Sequence, residues 1–175
     1  MRLTNRSGEA FQDQHDQLNV NANVQVGNVD ASAGNPVPVE DTWTINLWAD
    51  EGANDSDKQT AATATWHVLW IWVELATTAT VGDRQLVVQV QDSGADVITE
   101  LARARAVQAA SLTRHYQFAP GVAQDTDFYD TNYLCTPIPV TTILKAGDII
   151  RVFDNNAVDA AADDMVVQMQ YGAKA

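Results

Sequence analysis

Between Trp66 and Tyr171 the chain runs as short apolar stretches punctuated by turn signals, and none of them sustains a helical period. The punctuation is Val81-Gly82-Asp83, Asp92-Ser93-Gly94, Ala119-Pro120-Gly121 and Lys145-Ala146-Gly147-Asp148. Glycine, proline and aspartate at such places let the backbone reverse over a few residues. Strands recurring at intervals of roughly 8 to 15 residues predict an all-β fold, a jelly-roll-like β-sandwich.

Individual stretches carry the period of two that a half-buried strand requires. Leu86, Val88 and Val90 are expected to face inward, as are Met165, Val167, Met169 and Tyr171. Leu112, Tyr116 and Phe118 share one face opposite Thr113, His115 and Gln117, while Pro137 and Pro139 place Leu134 to Ile143 on an edge. Val97 to Val107 mixes helical and strand signals and is read as mostly strand. The strongest strand is Trp66 to Leu75 (WHVLWIWVEL), apolar on both faces, and a strict period of two puts Trp66, Trp70 and Trp72 on one of them.

The first part of the chain has a different character. Residues 1–62 are polar and acidic and read as an extended N-terminal arm, leaving residues 63–175 as the β-sandwich domain. Through Ala62 ten acids stand against Arg2, Arg6 and Lys58, giving −7; the remainder has thirteen acids against seven bases, giving −6. Leu18, Val20, Ala22, Val24 and Val26 alternate with Asn19, Asn21, Asn23 and Gln25, so this segment is expected to add to a sheet edge. Gly34, Pro36 and Pro38 mark a linker, Trp43, Ile45 and Leu47 alternate with Thr44 and Asn46, and Asp50 to Asp57 reads as a solvated loop. Ordering a polar arm costs about 1 to 2 kcal/mol per residue, which a partner surface must offset.

Composition excludes several partners. With a net charge of −13 and only ten Lys and Arg, the chain is a poor match for nucleic acid or for an acidic membrane surface. The longest apolar run, Val68 to Val73, is far short of the roughly 20 residues that span a bilayer. Met1 to Phe11 has no apolar stretch of the signal-peptide kind, so synthesis in the cytoplasm is expected. Cys135 has no second cysteine to pair with and reads as a buried thiol.

Chemistry-bearing motifs are few. His15, His67 and His115 sit on three separate segments without metal-ligand spacing, and no nucleotide-binding or nucleophile-elbow fingerprint occurs, so no metal, cofactor or catalytic residue is expected. The loop with Asp154, Asn155, Asn156, Asp159, Asp163 and Asp164 has the oxygen content of a cation site. It lacks an EF-hand's glycine and twelfth-position glutamate and is read as solvated. The Trp row is read as a covered core or interface face, with exposure to sugar rings as the competing reading.

Three stretches, ATVGDRQ (79–85), ARAVQAASLTRHYQFAPG (104–121) and AGDIIRVFDNNAVDAAADDM (146–165), resemble structural proteins of tailed bacteriophages. From Trp66 to Tyr171 the chain is similar to jelly-roll cement, or decoration, proteins of phage heads. That resemblance implies a homotrimer on the outer surface of the head, made in the host cytoplasm and bound across neighbouring copies of the major capsid protein. It casts Leu18, Val20, Val24 and Val26 as strand-addition contacts to the capsid, Arg2 and Arg6 as anchors on an acidic rim, and Trp66, Trp70 and Trp72 as the trimer interface. The leading segment is longer and richer in Asn than a minimal decoration protein needs. One alternative is a tail-fibre, baseplate or head-fibre domain that binds host glycan; another is a carbohydrate-active enzyme using two of the many acids.

Overall fold

In a computed structural model of the chain, residues 25–26, 29–30 and 43–174 are described. They form thirteen strands and no helix: β1 (Gln25–Val26), β2 (Val29–Asp30), β3 (Thr44–Asp50), β4 (Asp57–Ala61), β5 (Thr65–Ala76), β6 (Leu86–Gln91), β7 (Val97–Arg103), β8 (Thr113–Ala119), β9 (Thr126–Asp127), β10 (Tyr133–Pro137), β11 (Ile143–Leu144), β12 (Ile149–Asp154) and β13 (Asp164–Lys174). The chain divides into two units, Met1–Asp41 and Thr42–Ala175. In the first, β1 pairs antiparallel with β2, Val26 opposite Val29. Arg2, Arg6, Leu18, Val20 and Val24 lie outside the described residues.

The second unit is a β-sandwich. Its larger sheet has the order β3-β13-β5-β8-β10-β9, with β11 also on β5, and its smaller sheet the order β4-β12-β6-β7. Counted through the eight main strands (β3 to β8, β12 and β13), these orders are first-eighth-third-sixth and second-seventh-fourth-fifth. That is the double Greek key of a jelly roll, as the turn spacing predicts. The remaining strands belong to an excursion between β8 and β12, in which β10 lies parallel to β8.

Alternation supplies the core. Val68, Ile71, Val73 and Leu75 of β5 and Met165, Val167 and Met169 of β13 are fully buried, as are Val88 of β6 and Val152 of β12 in the opposing sheet. Leu86, Val88 and Val90 face inward as expected, and the ambiguous segment is a strand over Val97–Arg103.

Two expectations need correction. Residues 44–61 are not arm: β3 pairs with β13 and β4 with β12, so the sandwich begins before residue 63. Their low apolar content misleads because backbone ladders, not side-chain burial, hold most of these edge strands, with Trp48 packed against the core. The acidic run between them is also less solvated than it reads. Lys58, 4% exposed, donates to the Gly52 carbonyl at 2.6 Å and draws in the carboxylates of Asp50 and Asp55 at 3.4 and 3.9 Å.

The second correction concerns the tryptophans. Opposite β13, Val68 pairs with Tyr171 and Trp70 with Gln170, so Leu69 is an extra residue in β5. A one-residue bulge reverses the facing of everything beyond it. Trp66 and Val68 point inward on one side of it and Ile71, Val73 and Leu75 on the other, leaving Trp70 and Trp72 half-buried on the outer face. Trp66 is a core residue at 3% exposure, its ring against Tyr171 with centroids 4.1 Å apart.

Candidate functional site

The outer face of the larger sheet is built by register. Gln168 lies between Ala49 and Trp72, and Gln170 between Leu47 and Trp70. Trp72 in turn faces Gln117 of β8, and Glu74 faces His115. Straight across three strands, Trp72 is therefore flanked by two glutamines. These two, with Trp70, Trp72 and Phe128, line an open cleft of about 380 Å³ that carries no charged side chain.

The aromatic floor is held in place. Trp70 Nε1–H donates to Gln170 Oε1 at 2.9 Å. The Trp72 ring stacks on His115 with centroids 5.7 Å apart, and His115 stacks on Tyr133 at 4.1 Å. Phe128 and Tyr129 meet Tyr133 edge-on at 5.5 and 5.1 Å, extending the row to the β9 edge. His115 Nδ1 also lies 3.4 Å from Glu74 Oε2. Gln117 and Gln168 have no hydrogen-bond partner for their side-chain amides among the described residues.

At the other end of the face, Trp43 and then Ile45 and Leu47 of β3, the outermost strand of this sheet among the described residues, point outward at 40%, 56% and 59% exposure. Their alternation is legible in the sequence, but the apolar row faces solvent. The Trp43 ring covers Gly172 of β13 and meets His67 at 5.8 Å; a Cβ at Gly172 would sit 3.1 Å from that ring, so glycine is what lets the indole lie flat there.

The acidic loop between β12 and β13 does structural work. Arg84 and Asp163, both fully buried, form a two-pronged ion pair at 2.7 and 3.1 Å. Arg84 also donates to the carbonyls of Thr80 and Gly82, and the Thr78 amide donates to Asp163. Hydroxyls of Thr78 and Thr80 donate to Asp159 at 2.6 and 2.7 Å, which holds its pKa below the usual carboxylate value. Asp154 accepts from the Gln85, Asn156 and Val158 amides. The seat is Gly82, at φ 150°, where any side chain would collide with Val158. Among the described residues no cluster of three or more His, Cys, Asp or Glu has a metal-holding arrangement.

The predicted site residues are thus separated. Trp70 and Trp72 share the cleft, Trp66 does not, and Val26 lies in the other unit. Cys135 is buried, and burial raises its thiol pKa. Gln168 and Phe128 were not singled out by sequence; Gln168 stands out only once β13 is known to cross β5 opposite Trp72. No protein-family model matches the chain, and no curated protein matches it.

Proposed function

We propose that this is a structural virion protein of a tailed bacteriophage: a cement protein that binds the outside of the head as a homotrimer and bridges neighbouring major capsid proteins. The observation that carries the reading is β3, the outermost strand of the larger sheet among the described residues, whose Ile45 and Leu47 form with the preceding Trp43 an exposed apolar row. An edge of that kind invites association and persists where a partner covers it. The trimer contact moves with this observation: Trp66 is inside the core, and the outward row of β3 takes its place. Met1–Asp41 supplies the capsid-gripping arm, with Leu18, Val20, Val24 and Val26 adding as a strand and Arg2 and Arg6 as anchors.

A clamp of this type stabilises a closed shell because it binds the assembled lattice better than free subunits. Three arms on one body raise the effective concentration of each, so weak single contacts suffice. Asp154, Asp159 and Asp163 are engaged in holding the loop between β12 and β13.

The test is a density map of purified heads together with the solution mass. Density for this chain at three-fold positions, a trimeric mass, and loss of head occupancy on deleting residues 1–34 are expected. A monomeric mass, or full occupancy without the arm, overturns the proposal. Density on a tail fibre instead favours the glycan-binding fibre domain.

A further inference from the structure

We infer that the cleft over Trp70 and Trp72 is a binding site for a neutral carbohydrate. This goes beyond the cement reading and holds whether the protein rides on a head or on a fibre. Two indoles and Phe128 provide an apolar platform for the C–H face of a pyranose ring. The amides of Gln117 and Gln168, one on each side of Trp72 and free of partners among the described residues, offer both donors and acceptors to ring hydroxyls.

Charge narrows the ligand class. The molecule carries −13, yet no Asp, Glu, Lys or Arg lines this cleft. A peptide carboxyl terminus, a phosphate or a uronic acid would enter without a counter-charge inside a strongly acidic molecule, whereas an uncharged polyol meets no such repulsion. A volume of about 380 Å³ lies at the small end of ligand sites. The platform is also preorganised: Trp70 is tethered to Gln170 and Trp72 is held by His115, so little side-chain freedom is lost on binding. The larger cavity of about 550 Å³ beside β7 is lined by Glu100, Lys145 and Asp148 and lacks this chemistry.

The full chain is to be titrated with neutral oligosaccharides of glucose and of galactose, with an oligouronate of equal length as the charged comparison. Intrinsic Trp fluorescence and calorimetry provide the readouts. At least one neutral sugar is expected to perturb the fluorescence and bind, and the oligouronate to bind more weakly. Trp72→Ala should weaken binding about tenfold, the loss of one aromatic contact, and Gln168→Ala about fivefold. Arg151→Met, on the opposite sheet, should leave it unchanged. If Trp72→Ala does not fold, Trp72→Phe and Gln168→Ala carry the comparison.

Absence of any response at millimolar sugar overturns the inference, as does equal binding by wild type and both cleft variants. So does a native oligomer that dissociates on Trp72→Ala, because the cleft is then a subunit contact. Failure to find the protein on heads bears on the cement reading alone.

Discussion

The two outer faces of the sandwich are made of the same kind of strand and differ in chemistry. On the smaller sheet Arg151 pairs with Asp57 and lies over the Phe153 ring at 4.3 Å, and Arg103 pairs with Glu100. These are solvated ion pairs of the kind worth little to stability. On the larger sheet the outward positions include Ile45, Leu47, Trp70 and Trp72, with Gln168 and Gln170 between them and Glu74 and His115 beside Trp72. Net charge alone would suggest a uniformly acidic, repellent particle. The distribution instead gathers tryptophan on one face and arginine ion pairs on the other, with Val97 and Ile98 of β7, 57% and 56% exposed, as apolar spots on the smaller sheet.

The largest effects test whether the inner and outer tryptophans differ as their positions require. Trp66→Ala should lower unfolding free energy by about 3 to 5 kcal/mol, and Trp72→Ala by no more than about 1.5, in urea titrations followed by circular dichroism. Equal losses would erase the distinction drawn by the bulge. Asp163→Ala should also cost about 3 to 5 kcal/mol, because it strands a buried guanidinium, whereas Arg84→Met combined with Asp163→Leu should cost less than either single change. This anchor lies at the loop joining the two sheets, so its loss lowers stability without altering which face binds.

Smaller effects address the faces themselves. Ile45→Lys with Leu47→Lys should change the stability of the fold by about 0.5 kcal/mol or less while abolishing self-association in light scattering. Arg151→Met on the other face should cost about 0.2 to 1 kcal/mol and leave the mass unchanged. Acid titration gives the finest test. Asp159 is held below its unfolded pKa, so its contribution is present above about pH 4 and lost as pH falls through the lower folded value. Asp159→Asn should therefore unfold less steeply below pH 4 than wild type.

Much of the core was legible, because Leu86, Val88 and Val90 or Met165, Val167 and Met169 obey a simple alternation that needs no partner to be recognised. The Trp face was misread because a period of two cannot register an inserted residue; only the pairing of β5 with β13 reveals Leu69. Strand β4 was hidden by polar composition, since Lys58 and its acids look like surface until their mutual contacts are seen, and the alternation at β3 did not reveal that it pairs with β13. Arg84 and Asp163 are 79 residues apart, and no local pattern announces their pairing. Two of the five cleft residues, Trp70 and Trp72, were visible; the amides acquired meaning from register.

Leu69 also sets how this chain can vary. Removing that single residue would leave a strand of unbroken alternation, with Trp66, Val68, Ile71, Val73 and Leu75 still inward and Trp70 and Trp72 still outward opposite the same β13 partners. Deleting instead one residue from the regular stretch between Trp70 and Leu75 would keep the bulge and turn the remainder of the strand over. The count of residues beyond the bulge is therefore under tighter constraint than the presence of the bulge itself.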